Sequence, residues 1–348
     1  MVVKIGSFNV RNLSASKGFK RDLKKIAKFI NYYQLDIVCL QEVLSEGKIL
    51  KGFNVNGANG QAAAYNKSLM GHLTGKWDCQ WAMPHTSREL EKAMVSSDTD
   101  EDDADVRGEG YAILWRTDKG IELAKKDGVE RRPDIYANGY DSTIAGSMLR
   151  LIRDPLEARF KIKGKKVELR VLSTHVIYAK SKSLKDVIDY GAIEMRRKEF
   201  YILAGQIYQK VNKDGKSPKA IVPYTILLGD YNLNIGSSLP DTLVFDKDGH
   251  VLNNDVTEID ENDGTKFVIR NYQNEKTTIK RDTAEMANSY DHFTYDDRMA
   301  DLVVPDSCRA VDLIHKYSSA SDKTEEELFA TYFKDVSDHI PIIITLNL

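Results

Sequence analysis

Polar side chains of the kinds that bind divalent metals and phosphates follow apolar, strand-like runs at several points of this sequence. In chain order they are Asn9, Glu42, His175, Asp230, Asn232, Asp338 and His339. Carboxylates and carboxamides are hard oxygen ligands for a divalent cation, a carboxylate can direct a water molecule, and an imidazole can donate to a phosphoryl oxygen. If several strand ends bring these groups together, the set predicts metal-assisted chemistry at a phosphate.

Each of these motifs, taken alone, also has a purely structural explanation. Glu42 could cap the segment that follows its strand, and a single histidine after a strand, such as His175, is more often structural than functional. The motif Gly229-Asp230-Tyr231-Asn232 could be a turn that closes a strand. However, residues 230 and 232 point the same way from an extended segment, as two cooperating groups would. The combination of motifs therefore favours chemistry more than any one of them does.

The chain resembles the endonuclease/exonuclease/phosphatase superfamily, the DNase I-like metal-dependent phosphodiesterases, from Lys4 to Leu346. The resemblance rests on short motifs in matching order: Phe8-Asn9, Leu40-Gln41-Glu42, Ser173-Thr174-His175, Gly229-Asp230-Tyr231-Asn232, Ser289-Tyr290-Asp291-His292-Phe293 and Asp338-His339. It implies that Glu42 is the main ligand of a Mg²⁺ or Mn²⁺ cofactor, with Asn9 assisting. It also implies that Asp230 acts as a base or orients water, and that Asn232 and His175 contact the phosphate.

The same resemblance implies partners for the two histidines. Glu109, two residues before an aromatic residue, would pair with His175, and Asp291 would orient the imidazole of His339. A carboxylate on one ring nitrogen fixes the tautomer and favours the imidazolium form. Asp338 would bind the metal or a water molecule from the second side. Glu194 lies in a helical stretch where relatives often have an acid, but we interpret it as part of a solvated helix face.

The details of the motifs favour DNA as the substrate. Arg153-Asp154-Pro155 and Tyr290-Asp291-His292 resemble the DNase branch, whereas Leu228 stands where inositide phosphatases usually have a Trp. Secreted DNases carry an Arg for minor-groove contact two residues after the metal-binding Glu, where this chain has Leu44; Arg107 could enter a minor groove instead. We therefore expect an endonuclease that leaves 5′-phosphate and 3′-hydroxyl ends. A phosphodiesterase or phosphatase acting on RNA or on a non-nucleic-acid phosphoester, and an inactive binding protein on the same fold, remain alternatives.

Composition limits the kinds of partner and compartment. The chain has 348 residues, of which 42% are hydrophobic, and a net charge of −2, so nucleic-acid binding would need a local basic patch. The three cysteines at positions 39, 79 and 308 have no metal-binding spacing and fit a reducing compartment. We see no signal peptide and no apolar run long enough to span a bilayer. These features predict a cytoplasmic protein without a membrane partner.

The pattern of apolar residues predicts alternating strands and helices. Strands are expected at 4–8, 36–41, 111–115, 156–162, 167–174, 225–229 and 340–346, and helices over 19–34 and 184–211. Because the motifs occur at both ends and in the middle, we expect one domain over 1–348, with insertions around 45–107 and 234–289. An acidic run at 98–105 is expected to be a solvated loop or a repulsive element near the site. The pattern predicts an α/β layered domain, and the resemblance implies a four-layer sandwich of two mixed β-sheets flanked by helices.

Overall fold

A computed structural model gives the arrangement of most of the chain. It describes residues 1–14, 21–44, 47–51, 65–84, 109–140, 143–144, 147–148, 151–176, 185–214, 221–252, 266–280, 283–317 and 323–348. Arg107, the expected substrate-binding residue, and the acidic run at 98–105 lie outside the described residues.

Strands are the main elements of the fold. In chain order they are β1 (Val2–Leu13), β2 (Ile37–Val43), β3 (Trp77–Ala82), β4 (Gly110–Arg116), β5 (Ile121–Leu123), β6 (Lys125–Lys126), β7 (Val129–Glu130), β8 (Asp134–Ile135), β9 (Thr143–Ile144), β10 (Ser147–Met148), β11 (Leu156–Ile162), β12 (Val167–His175), β13 (Val222–Asp230), β14 (Thr242–Asp246), β15 (Lys266–Tyr272), β16 (Asp291–Tyr295), β17 (Arg309–Ala310) and β18 (Ile342–Asn347). The α-helices are α1 (Leu23–Tyr32), α2 (Gly47–Leu50), α3 (Lys185–Tyr201), α4 (Gln209–Lys213), α5 (Asp297–Ala300), α6 (Leu313–Tyr317) and α7 (Glu325–Asp335).

Two large mixed sheets contain most of these strands. The first sheet has the order β17-β18-β1-β2-β4-β3, in which β1 and β2 are parallel and the other neighbours are antiparallel. The second has the order β14-β15-β16-β13-β12-β11-β5, with β8 also paired to β11, and here β12 and β13 are parallel. The expectation of two mixed sheets is confirmed.

The sheets pack face to face, and helices cover their outer sides. The core between the sheets combines first-sheet residues with second-sheet residues, among them Ile5, Ile37, Ile113, Phe160, Val171, Ile226 and Phe293. On the outer side of the first sheet, a separate core joins strand residues to α1, α6 and α7, with Phe8, Leu40, Phe29, Leu313 and Phe329 among its members. On the outer side of the second sheet, Leu172 and Leu227 pack against Phe200 and Ile207. The chain therefore forms the expected four-layer α/β sandwich.

The helices begin and end where local chemistry favours it. The side chain of Asp22 accepts hydrogen bonds from the backbone N–H groups of Lys24 and Lys25, so α1 begins at Leu23 within the expected range of 19–34. At α7, Thr324 and Glu327 form a reciprocal capping box. The apolar side of α1, which includes Ile26, Phe29 and Ile30, faces the first sheet.

The long helical stretch expected over 184–211 is not a uniform α-helix. Residues Ile202–Tyr208 between α3 and α4 form a π-helical segment in which every residue is buried. The region 234–289, which the sequence marks as an insertion, contributes β14 and β15 to the edge of the second sheet. Within the described part of the chain, no helix combines the length and apolarity needed to cross a membrane.

A buried polar link joins the two sheets directly beneath the rim that carries the motifs. The side-chain amide of Gln41 in β2 donates to Ser7 Oγ of β1 at 3.1 Å and to Ser173 Oγ of β12 at 3.0 Å. All three side chains are fully buried. Since an unpaired buried polar group is costly, these bonds fix the ends of β1 and β2 relative to the end of β12.

Candidate active site

The carboxyl ends of four strands meet at one rim of the sandwich. In the first sheet, the parallel pair β1 and β2 brings Asn9 beside Gln41, directly before Glu42. In the second, the parallel pair β12 and β13 places His175 opposite Asp230, and the antiparallel β16 places Asp291 on the other side of Asp230. The sandwich thereby brings together side chains that are far apart in sequence.

Glu42 and Asn9 form the first-sheet half of the site. Asn9 Nδ2 donates to Glu42 Oε1 at 2.8 Å and to Asp230 Oδ2 at 3.1 Å, so this amide joins two carboxylates from different sheets. The backbone N–H of Asn12 donates to the other Glu42 oxygen at 3.0 Å. Glu42 has φ of +59°, a left-handed conformation that a non-glycine residue adopts at a cost of about 1–3 kcal/mol. This cost is typical of functional sites, where the surrounding contacts hold a side chain in a required position.

Asp230 lies at the centre of the cluster. Its Oδ2 atom is 3.6 Å from His175 Nε2 and 3.5 Å from His339 Nε2, while its Oδ1 atom accepts from the backbone N–H of Asn232 at 2.9 Å. The side chain is buried. Burial raises the pKa of Asp230, and the two imidazoles oppose that rise. A carboxylate in this environment is better able to accept a proton than an exposed one.

His339 and Asp291 form a buried pair. The distance between His339 Nδ1 and Asp291 Oδ2 is 2.7 Å, and Asp291 is fully buried. Burial would lower the pKa of His339, but the charges of Asp291 and Asp230 outweigh it and hold that pKa well above its ordinary value. The pKa of Asp291 is correspondingly lowered, against the effect of burial, by His339. The imidazole is therefore held in its charged form with Nε2 directed toward Asp230.

His175 and Glu109 form a second, less direct pair. His175 Nδ1 and Glu109 Oε2 are 3.3 Å apart, but the atoms are not aligned for a hydrogen bond. The same Glu109 oxygen is 2.6 Å from Arg153 Nη2. Burial would raise the pKa of Glu109, but Arg153 and His175 lower it to about 2. Glu109 is thus an anion between the guanidinium of Arg153 and the imidazole of His175. The backbone N–H of His175 donates to the phenolic oxygen of Tyr111 at 3.1 Å, which supports the same strand end.

The two remaining expected residues have different surroundings. Asn232, with φ of +50°, donates from Nδ2 to the Val176 carbonyl at 2.7 Å, which orients its amide at the edge of the cluster. Asp338 lies further out, with 34% of its side chain exposed, and its Oδ2 atom is 3.5 Å from Arg11 Nε. Asp338 nevertheless acts on Glu42 electrostatically, since its charge contributes to raising the Glu42 pKa.

Several contributing residues were not assigned from the sequence. Gln41 and Arg153 stood inside quoted motifs, but nothing in their spacing indicated that one joins the sheets and the other holds Glu109. Arg11 is a third such residue: its guanidinium stacks 3.8 Å from the centre of the Phe333 ring and donates to the Phe333 carbonyl at 3.0 Å. Arg21 donates to the Arg11 carbonyl at 3.0 Å, so two cations border the site on the side of Asp338.

The carboxylates of the site fit a divalent cation. Burial and the charge of Glu109 raise the pKa of Glu42 to about 7, because several acidic groups share a small buried volume. Glu42, Glu109 and His175 offer ligand atoms that all lie within 4.8 Å of one another. Glu109 already forms an ion pair with Arg153, so Glu42 is the carboxylate that a bound cation would stabilise most. A bound cation would remove the electrostatic cost of ionising it.

Comparison with known proteins identifies the family. The model of the Endonuclease/Exonuclease/phosphatase family matches residues 6–250. Among curated proteins, no sequence match was found. Structure comparison matched truncated TDP2 from Caenorhabditis elegans (15% identity, covering 100% of this chain and 98% of that chain, TM-score 0.49). It also matched TDP2 from D. rerio in complex with a single-stranded DNA product (14%, 100% and 99%, TM-score 0.47). A third match is an endonuclease/exonuclease/phosphatase family protein from Bacteroides thetaiotaomicron (17%, 99% and 98%, TM-score 0.46). Because the family match covers most of the sequence, the chain belongs to the endonuclease/exonuclease/phosphatase family, whose members are typically metal-dependent phosphodiesterases.

Proposed function

We propose that this protein is a Mg²⁺- or Mn²⁺-dependent endonuclease that hydrolyses DNA to 5′-phosphate and 3′-hydroxyl ends. The observation that carries the proposal is the position of Asp230, whose Oδ2 atom faces the Nε2 atoms of His175 and His339 and the amide of Asn9. In this arrangement the Asp230 carboxylate can orient a water molecule, while the two imidazoles and the amide can donate to the phosphate. Glu42 beside it is a second carboxylate that fits a metal ion.

Glu42 is the residue we assign as the main metal ligand, with Asp338 approaching from the exposed side. Asn9 holds Glu42 in place through its Nδ2 atom, while its Oδ1 atom accepts from the backbone N–H of Arg11 at 3.0 Å. Asn9 therefore acts on the metal site by orienting Glu42 in this arrangement, and direct ligation by its oxygen stays a prediction. When bound, a divalent cation would neutralise charge on a phosphoryl oxygen and on the leaving oxygen.

Asp230 directs the attacking water and accepts its proton. The hydrogen bond from the Asn232 backbone fixes Oδ1, which leaves Oδ2 as the oxygen that faces the cluster. Since burial raises the Asp230 pKa, proton transfer to this carboxylate is more favourable than transfer to an exposed one.

His175, His339 and Asn232 stabilise the charge that grows on the phosphoryl group. Asp291 keeps His339 as an imidazolium, and Glu109 lies beside His175, so each ring is positioned before substrate arrives. Donors that are already oriented need no rearrangement in the transition state, and the loss of one typically costs on the order of a hundredfold or more in turnover.

DNA is the favoured substrate on two grounds. The Arg153-to-Glu109 and Asp291-to-His339 contacts join residues of the motifs that resemble the DNase branch. In addition, Arg11 and Arg21 provide a local cationic border next to the acidic cluster, which a polyanionic strand needs in a protein with a net charge of −2. Cytoplasmic location and a single domain over 1–348 stay predictions from the sequence.

The test is a cleavage assay with purified protein on supercoiled plasmid, single-stranded DNA, RNA, an abasic duplex and a phosphoinositide panel. We expect nicked and linear plasmid in Mg²⁺ or Mn²⁺, loss of cleavage in excess chelator, and recovery when the metal is restored. Glu42→Ala should abolish the activity, and Glu122→Ala, which changes an exposed Glu on β5, should leave it unchanged. Full activity in chelator would contradict a metal-dependent mechanism. Cleavage confined to RNA or phosphoinositides would contradict DNA as the substrate, and inactivity on every substrate would favour a binding protein.

A further inference from the structure

A cavity lies on the outer side of the second sheet, away from the candidate active site. Its volume is about 600 Å³, within the roughly 300–1,000 Å³ typical of small-molecule sites. Arg159 lies in the cavity wall, and in the β11–β12 register it stands opposite Arg170. Arg170 precedes His175 by five positions in β12. At about 3.3 Å per residue, this part of the wall is roughly 16 Å from the catalytic end of the strand. A ligand in this cavity would therefore be separate from the substrate phosphate.

The backbone that forms one wall is unusual. Gly205 lies in the π-helical segment Ile202–Tyr208 and faces Gly249 in the turn after β14. A Cβ atom on Gly205 would lie 2.2 Å from the Gly249 carbonyl oxygen, and one on Gly249 would lie 2.6 Å from the Gly205 carbonyl oxygen. These two glycines therefore let the segment and the turn touch. Single π-helical turns inside α-helices occur frequently at functional sites.

The walls carry more positive than negative charge. Arg131 and Arg159 are already neutralised, because both contact Glu157 and Asp214 at 2.6–3.6 Å. The cavity is also lined by four lysines and one aspartate: Lys126, Lys210, Lys213, Lys247 and Asp248. These five side chains give an excess of three positive charges. Lys213 contacts only a neutral oxygen of Gln209 at 2.9 Å, and Lys210 contacts the Gly139 carbonyl. Among the described residues, none of these four ammonium groups has a carboxylate partner.

A buried hydroxyl adds a directional donor. Tyr136 lines the cavity with 3% of its surface exposed, and its phenolic oxygen lies near the side chain of Asn138, another lining residue, without an aligned hydrogen bond among the described residues. Burial and the charge of Glu157 raise the pKa of Tyr136 to about 12, so the phenol remains protonated at neutral pH. Because this hydroxyl has no aligned hydrogen bond, its O–H remains available to donate to an anionic oxygen in the cavity.

We propose that this cavity binds a small phosphorylated anion at a site independent of the active site. Ammonium groups on flexible stems suit a phosphate group as point charges, and a buried O–H donor can complete its coordination. The excess of three positive charges matches a compound with more than one phosphate charge, such as a diphosphate.

Isothermal titration with pyrophosphate in the presence of chelator tests the proposal on the full chain. We expect saturable binding by the unaltered protein and by Glu42→Ala, since the cavity does not include the active site. The double variant Lys210→Ala/Lys247→Ala should bind on the order of tenfold more weakly, because it loses two charge-assisted contacts. The matched control Lys161→Ala/Lys323→Ala removes two exposed lysines outside the cavity and should bind normally.

Tyr136→Phe separates binding from folding, because it keeps the buried ring and removes only the hydroxyl. We expect weaker pyrophosphate binding with an unchanged urea midpoint. The proposal is overturned if the unaltered protein does not bind at millimolar pyrophosphate, if both double variants bind alike, or if Glu42→Ala abolishes binding. It is also overturned if only a single-stranded oligonucleotide, and not pyrophosphate, shows the dependence on Lys210 and Lys247, since the surface would then be part of a nucleic-acid path.

Discussion

Gly229→Ala should destabilise the fold and disable the active site together. Gly229 has φ of +137° and pairs with Thr174 in the parallel strands that carry Asp230 and His175. A Cβ atom at this position would lie 2.0 Å from the Thr174 carbonyl oxygen. Because that oxygen belongs to a backbone at the centre of the sheet, the two strands would have to separate at the point where they position the candidate catalytic residues Asp230 and His175.

The expected loss of stability follows from two contributions. Placing an L-residue in this region of backbone conformation costs about 1–3 kcal/mol, and forcing extra atoms into a packed interior costs about another 1–3 kcal/mol. The sum is about 4 kcal/mol. Gly164→Ala is a matched control: Gly164 also has positive φ, +74°, but nothing lies within 4 Å of an added Cβ atom. Its cost should be only the conformational strain, about 1 kcal/mol after the gain from a less flexible unfolded chain.

Urea unfolding monitored by tryptophan fluorescence measures the difference between the variants. Gly229→Ala should lose about 3 kcal/mol more than Gly164→Ala, and only Gly229→Ala should lose phosphodiester cleavage under conditions in which both variants are folded. Equal losses for the two variants would refute the argument, because strain from positive φ would then account for the whole effect and the close approach of the strands would not matter.

Further predictions concern the histidine pair, a helix cap and salt. Asp291→Asn removes the charge that holds His339 as an imidazolium, so turnover measured at saturating substrate should fall on the order of a hundredfold; a near-normal rate would show that His339 does not depend on this carboxylate. Thr324→Ala removes the capping box of α7 and should lower unfolding free energy by about 1 kcal/mol with unchanged activity, as thermal unfolding and the plasmid assay would report. DNA cleavage at subsaturating substrate should fall steeply between roughly 50 and 200 mM salt, and a flat rate would argue against a polyanionic substrate.

The strands and the order of the motifs were predictable from the sequence, but the contacts at the site were only partly so. Runs such as Ile226-Leu227-Leu228 indicated strands, and the motifs named the residues that lie at strand ends. The resemblance also predicted the pairing of Asp291 with His339, which the structure places at 2.7 Å. The spacing of the motifs did not predict that the Asn9 amide donates to both Glu42 and Asp230, because those hydrogen bonds depend on the distance between two separate sheets.

One helix and the edge of the second sheet were also only partly predictable from the sequence. The apolar stripe over 184–211 predicted a helix but not the π-helical segment within it, because Ala204 and Ile207 keep the three- and four-residue spacing of an α-helix through the segment. The polar region 234–289 gave weak strand signals, yet β14 and β15 pair at the edge of the second sheet, where one side of a strand meets solvent and apolar alternation is incomplete. Backbone hydrogen bonds to β16 hold β15 in the sheet, although the side-chain pattern there does not indicate a strand.

The pairing of β1 with β18 determines when the candidate catalytic cluster can assemble during synthesis. β1 lies inside the first sheet, between β2 and β18. The backbone groups on one of its edges therefore lack their sheet hydrogen bonds until residues 342–347 have left the ribosome, long after β1. His339 reaches Asp291 and Asp230 only at the same late stage. A nascent chain therefore carries Asn9 and Glu42 without the imidazole that completes the site. The topology, with its distant strand partners, is of the kind that folds slowly, and it keeps the cluster incomplete until residues 339–347 have been synthesised.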